Sequence, residues 1–132
     1  MNKILASVAL LIGWASPALA DPPSDGALWT ADKRAAASAM PGVSGTQVTA
    51  YVRQSDGRFL EIDLSAVEGG NFGKLGQRRA EYDRFETTPV EWLPRQDGLL
   101  QVKIQTQAWR DGQRYTVWEP VLFRADGTVF WR

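Results

Sequence analysis

The sequence predicts a mainly β fold: an antiparallel meander of about six strands, curled into a sandwich or an open barrel, with a short N-terminal helix. Asp-Gly dipeptides occur at 56–57, 97–98, 111–112 and 126–127, each between runs rich in β-branched and aromatic residues. Such a pair between alternating apolar runs is a strong hairpin signal. The last three pairs are 14 and 15 residues apart, which suits strands of about ten residues.

The N-terminus has the organisation of a secretory signal peptide. Lys3 precedes the apolar run 4–14, which is too short for a spanning helix, since that needs about 20 apolar residues. Ala18 and Ala20 then supply the small-residue pattern that precedes signal-peptidase cleavage. We therefore predict that residues 1–20 are removed before Asp21, that the protein is periplasmic or secreted, and that it has no membrane span.

The remaining chain is predicted to be a linker followed by one domain. Residues 21–26 form the linker, because proline and glycine interrupt both kinds of regular structure. Residues 27–132 have the length of a single β-rich domain. A short helix is predicted at its start, beginning at Thr30 or Asp32 and ending at Ala39, because this segment is rich in alanine and stops before a Pro-Gly pair.

Six strands are predicted in the rest of the domain. Their ranges are 46–54, 58–64, 89–95, 99–109, 113–124 and 128–132. The segment 65–76 is glycine-rich and is predicted to be a loop. For 77–88 the pattern is compatible with a strand or a helix, and a strand is favoured because it leads directly into the next one.

The register of the hairpins follows from the loop length that buries the apolar side chains. A three-residue loop at every Asp-Gly pair, with its glycine left-handed, gives one apolar core face. That face consists of Val90, Trp92, Leu100, Val102, Ile104, Trp118, Leu122 and Phe130. A two-residue loop at 111–112 would place Glu119 opposite Ile104, and we reject it for that reason.

The opposite face of the predicted sheet supplies the candidate ligand- or partner-binding residues. Near the sheet centre it is polar, with Lys103 opposite Glu119. Toward the last two strands it carries an apolar stripe formed by Val117, Val121, Phe123, Val129 and Trp131. Because large exposed apolar patches are rare on soluble monomers, either another part of the chain covers the stripe, which we favour, or a ligand or partner binds it.

Composition removes most enzyme chemistries. The 132 residues include no His and no Cys, which excludes imidazole bases, Ser-His-Asp triads, thiolate nucleophiles and disulfides. The 15 basic residues balance the 15 acidic ones, so the basic excess typical of nucleic-acid binders is absent. No calcium-loop motif occurs, and we predict no catalytic residues, no metal and no cofactor.

Three hypotheses of function follow, and the first is a small exported, non-enzymatic binding module or inhibitor whose ligand is a protein, a small molecule or a glycan. The second is an accessory subunit of a cell-envelope or secretion assembly, which includes a homo-oligomer. The third is a carboxylate-based hydrolase or isomerase. Its candidates are Glu61 with Asp63 and Glu81 with Asp83, since residues two apart share one face of a strand.

Overall fold

The structure is a computed structural model that describes residues 19–24, 26–42, 45–76 and 78–130. The strands in these ranges are β1 (Leu19–Ala20), β2 (Leu28–Trp29), β3 (Ala35–Pro41), β4 (Thr46–Arg53), β5 (Phe59–Asp63), β6 (Arg84–Gln96), β7 (Leu99–Arg110), β8 (Gln113–Phe123) and β9 (Val129–Phe130). The helix α1 (Ala66–Leu75) and a 3-10 turn (Arg79–Glu81) connect β5 to β6. The mainly β, antiparallel character is confirmed, although the described strands outnumber the six predicted.

Two sheets enclose one hydrophobic core. The first has the strand order β1-β5-β4-β3-β2 and the second the order β6-β7-β8-β9. Val48 and Ile62 of the first sheet pack in the same cluster as Val102, Ile104 and Phe123 of the second. Since all five are almost fully buried, the core lies between the sheets and the molecule is a sandwich.

The glycine of every Asp-Gly pair has a positive φ, between 77° and 100°, as predicted. The loops that end at Gly57 and Gly127 contain three residues, and the first sets Val52 opposite Leu60, also as predicted. The turns at 97–98 and 111–112 contain two residues instead of three. In both, the aspartate and the glycine have positive φ, the combination of a type I′ hairpin turn.

The two-residue turn at 111–112 reverses the predicted faces of β8, because a slip of one residue moves every side chain to the other side. Phe123 is therefore in the core opposite Leu100. The predicted core residues Trp118, Leu122 and Phe130 of β8 and β9 belong instead to the outer face.

Glu119 does lie opposite Ile104, in the register that the sequence argument rejected. The same register turns Val121 and Phe123 into the core. Helix α1 contacts β8 and places Lys74 Nζ 3.9 Å from Glu119 Oε1. A partly buried carboxylate is tolerated where a cation accompanies it.

The edge strand β6 reaches the predicted register by a different route. Trp92 lies opposite Val102, as expected, because a bulge between Leu93 and Gln96 adds the residue that the shorter turn lacks. A second irregularity falls at Val90, which is exposed and not part of the core. Such bulges are common at sheet edges.

Between residues 30 and 88, two predictions are wrong and a third is confirmed only in part. The predicted N-terminal helix is β3, because seven paired positions with β4 outweigh the helix propensity of alanine. The predicted loop 65–76 contains α1, whose last turn is closed by left-handed Gly76. The strand favoured for 77–88 is confirmed from Arg84 onward, where β6 begins and runs on into the next predicted strand. Ahead of it lies the 3-10 turn Arg79–Glu81.

The predicted cleavage site lies at the border of the described structure. Leu19 and Ala20 pair with Leu60 and Phe59 of β5, so the last two residues of the predicted signal peptide form the short strand β1. Residues 1–18 lie outside the described ranges.

Candidate functional site

Three of the five residues of the apolar stripe are covered within the chain. Val121 and Phe123 are buried in the core, and Val129 packs against the same cluster. Val117 is half-buried on the same face of β8, whereas Trp131 lies outside the described residues. The buried members therefore present no surface to a ligand.

The other two candidate residues, Lys103 and Glu119, are not opposite each other. Lys103 pairs with Pro120 on the outer face, with its Nζ 4.4 Å from the centre of the Trp118 ring. Glu119 is on the inner side of the sheet beside Lys74. The predicted pair of Lys103 with Glu119 is therefore wrong. The register predicted for β6 and β7 also sets Glu91 opposite Lys103, and that pair is confirmed, at 3.8 Å.

Three of the four candidate carboxylates accept hydrogen bonds within local structure or from a neighbouring turn, Asp83 among them from the Asp111 N–H at 3.3 Å. Glu61 lies on β5 two residues before Asp63, as predicted. Asp63 accepts a hydrogen bond from the Ser65 backbone N–H at 2.9 Å, just before α1. Glu81 and Asp83 flank the exit of the 3-10 turn and are not on a strand. Glu81 accepts from the Arg78 backbone N–H at 2.9 Å.

A buried carboxylate that the sequence analysis did not single out joins the two sheets to the helix. Glu68 of α1 is 1% exposed. It accepts hydrogen bonds from the Thr46 N–H at 3.0 Å, the Thr46 hydroxyl at 2.6 Å and the Thr87 hydroxyl at 2.5 Å. Arg79 Nη2 donates to Glu68 Oε1 at 2.8 Å. Glu68 thereby ties the start of β4, the 3-10 turn and β6 to α1.

The network continues beneath Thr87. The Thr87 hydroxyl donates its one hydrogen to Glu68, so the Thr106 hydroxyl, 2.8 Å away, donates to Thr87. Asn71 Nδ2 in turn donates to Thr106 at 3.0 Å. The hydrogen bonds therefore run in one direction from Asn71 to Glu68, which fixes the rotamers of four buried side chains.

Gly45, at the start of β4, is required by this network. Its φ is +147°, and a Cβ there would lie 2.8 Å from Glu68 Oε1 and 2.9 Å from Arg79 Nη2. Only glycine lets the backbone approach the ion pair so closely. The nearby Gly42 N–H donates to the Gly45 carbonyl at 2.8 Å and closes the link between β3 and β4.

Above the network the two sheets separate to form a cleft of about 660 Å³. It is lined by Ala39, Met40, Pro41, Gly42, Gly45, Thr46, Arg79, Phe85, Glu86, Thr87 and Thr88. A second hollow of about 470 Å³ shares Ala39 and Thr88 with it, so the depression continues along β3. We call the 660 Å³ depression the β3–β6 cleft.

A small side chain at the end of β3 leaves space for the cleft. Three alanines of this strand, Ala35, Ala37 and Ala39, face the core; the first two are fully buried there, and Ala39 lines the cleft. The floor is polar and fixed, since Thr46 and Thr87 are both held by Glu68. The result is a concave, mostly apolar site with a few polar groups, as is usual for ligand-binding sites.

Two strand edges border the cleft. Within the described structure β6 pairs with β7 alone. The outer side of β3 is bonded only from Ala35 to Ala37, by Thr30 and by β2. Residues 38–41 of β3 and residues 84–88 of β6 therefore present backbone groups without a neighbouring strand. Such edges are templates for pairing with another chain.

The outer face of the second sheet is a further exposed surface. Trp118 and Phe130 are 44% and 38% exposed. A cationic side chain lies near each of three described aromatic rings on this face: Lys103 at Trp118, Arg124 at Phe130 and, at 3.8 Å from the ring centre, Arg84 at Trp109. Such contacts contribute about 0.5–1 kcal/mol at exposed sites.

The carboxyl groups with displaced pKa values lie in turns, away from the cleft. The Thr30 hydroxyl lowers the pKa of Asp32. The Arg58 backbone N–H lowers the pKa of Asp56, and the N–H two residues further on likewise lowers the pKa of Asp126. They stabilise turns and do not point to proton transfer.

Sequence reasoning missed the cleft because its residues come from distant parts of the chain. Glu68 and Arg79 stand in segments predicted to be loop and strand, and Thr46 and Thr87 look like ordinary strand residues. The one local signal was Gly45, a glycine at the start of a predicted strand, which often marks a close backbone approach.

Comparison with known proteins gives no match: no family model, no curated protein and no solved structure matches the chain. Among the described residues, no helix is long and apolar enough to cross a membrane. The same residues contain no cluster of three or more acidic side chains suited to a metal ion.

Proposed function

We propose that this protein is a small exported, non-enzymatic binding module that takes its ligand in the β3–β6 cleft. The observation that carries the proposal is an apolar cleft of about 660 Å³ whose floor is held rigid by a buried hydrogen-bond network. A site built on fixed side chains loses little entropy when a ligand binds.

The polar groups at the floor support binding over catalysis. Both oxygens of Glu68 accept hydrogen bonds, and the hydroxyls of Thr46 and Thr87 donate to it. A general acid or base must instead exchange its proton with the substrate. Glu68 is more suited to holding the cleft in shape than to reacting in it.

Nuclear magnetic resonance tests the cleft directly. We would titrate a library of small apolar and amide-containing fragments into the ¹⁵N-labelled protein. The expected shifts cluster at residues 39–42, 45–46 and 85–88. Replacing Ala39 by leucine fills the cleft and should abolish them, whereas Ala66→Leu at the exposed start of α1 should not. Shifts confined to other regions, or none at all, would contradict the proposal.

Export is a separate part of the proposal and has its own test. Mass spectrometry of the protein recovered from outside the cytoplasm should show that the chain begins at Asp21. A retained N-terminus would remove the support for a periplasmic or secreted location.

The exposed aromatic side chains favour a second candidate function, that of an accessory subunit in an envelope or secretion assembly. Trp118 and Phe130 lie on the outer face, together with the half-buried Leu122, and aromatic residues are enriched at interfaces. Light scattering separates this candidate from a monomeric binding module. Trp118→Ala should dissociate an oligomer formed through that face.

A further inference from the structure

We propose that the ligand of the β3–β6 cleft is an extended polypeptide segment of a partner protein, which adds as a strand to β6 along residues 84–88. This inference rests on the proposed function and names the partner chemistry of the same site. The added strand would extend the second sheet by one and direct every other side chain into the cleft.

Among the residues that the structure describes, no strand pairs with the outer edge of β6 over this stretch, whereas the rest of the edge is irregular. From Arg84 to Pro89 the pairing with β7 is regular, one residue against one. Beyond it come an irregularity at Val90, a second between Leu93 and Gln96, and a second proline, Pro94. Prolines and bulges are the devices that block pairing at sheet edges, and residues 84–88 carry neither.

The cleft lies where the side chains of an added strand would project. Phe85 and Thr87 face inward from β6 and line the cleft. A strand beside β6 would lie about 4.8 Å further out, with its inward side chains about 6.5–7 Å apart. Those side chains would meet Ala39 and Pro41 of β3, which leave room for them.

The residues that line the β3–β6 cleft define which peptide sequences should bind. Inward positions should be apolar, because Ala39, Pro41 and Phe85 form the walls. Outward positions should be polar or charged, because Arg84 and Glu86 are exposed on the neighbouring outer positions of β6. The segment should lack proline, since each ladder bond requires an N–H.

Peptide selection on the full protein tests the inference. Linear twelve-residue peptides displayed on phage are selected on the wild type and depleted on the Ala39→Leu variant. The selected peptides are expected to alternate apolar and polar residues. N-methylation of alternate amides in a selected peptide should weaken binding about tenfold for each, because a ladder bond is lost, while methylation of the intervening amides should have much less effect. Amide hydrogen exchange should slow within residues 84–88.

The outcomes separate this inference from the proposed function. A peptide that binds the cleft but tolerates N-methylation at every position overturns strand addition and leaves the binding module intact. If fragments bind the cleft and no peptide does, strand addition is likewise overturned and the binding module is left intact. A peptide that slows exchange only on the outer face also overturns strand addition. Failure of both fragments and peptides overturns both proposals.

Discussion

Replacing Glu68 by glutamine should lower the free energy of unfolding by about 3–5 kcal/mol, because two of the four hydrogen bonds that the buried carboxylate accepts would be lost. The substitution preserves size and removes the charge. It also places an NH₂ group where one of the two oxygens accepts from Thr46, Thr87 or Arg79. At least one donor would then face another donor in a site that water scarcely reaches.

The magnitude follows from the geometry of the pair. The side chain of Arg79 is 40% exposed, so solvent screens part of its attraction to Glu68 and the Coulomb energy is not the main contribution. The hydrogen bonds are, since each bond to a charged group contributes about 1.5–3 kcal/mol. Losing two of the four is a large fraction of the 5–15 kcal/mol that stabilises a typical domain.

Urea unfolding followed by tryptophan fluorescence measures this effect. The matched control is Glu86→Gln, the same change at an exposed position on β6, which should stay within about 0.5 kcal/mol of wild type. If Glu68→Gln also stayed within 1 kcal/mol or so, the network would not be what holds the sheets and helix together, and the argument for a rigid cleft floor would fail.

Three other predictions follow from the described contacts. In α1, Gly69→Ala and Gly73→Ala should each raise thermal stability by about 0.5–1 kcal/mol, because a Cβ meets nothing there; destabilisation would contradict the helix. In urea unfolding, Phe123→Ala should lower the free energy of unfolding by about 3–5 kcal/mol and Leu122→Ala by clearly less. The reverse order would indicate the register of a three-residue turn at 111–112. Folding lowers the pKa of Asp56, so this carboxylate stabilises the fold above pH 3.8 and stabilises it less as the pH falls further. In a pH series, the free energy of unfolding of Asp56→Asn should therefore fall less below pH 3.8 than that of the wild type.

The strands were predictable because their signals are local. An Asp-Gly pair fixes a left-handed glycine at the turn, and the flanking apolar runs define the strands whatever else the chain does. Thus β4, β7 and β8 begin and end within a residue of the predicted limits. The hairpin closed by Gly57 even has the predicted register.

The register of β8 was not predictable by the same means. Burial argued against a two-residue turn at 111–112 because Glu119 would face the core. Its partner, Lys74, lies 45 positions earlier in the chain, in a glycine-rich stretch whose helix the sequence did not reveal. The type I′ turn at 111–112 and the burial of Val121 and Phe123 favour the two-residue register. The fold brings Lys74 to the carboxylate that this register turns inward.

The alanine run of β3 links the failed helix prediction to the candidate site. Alanine is the best helix former and buries little apolar surface, so a core strand made of it contributes less to stability than valine or isoleucine would. The domain has no disulfides to offset this smaller contribution to stability. The small side chain at Ala39 has a physical explanation if the space beside it binds a ligand. Larger side chains at Ala39 would fill the gap to β6 and close the cleft. Positions where a sequence departs from what stability favours are expected at functional sites, and here that departure, the fixed floor at Glu68 and the open edge at residues 84–88 converge on one depression.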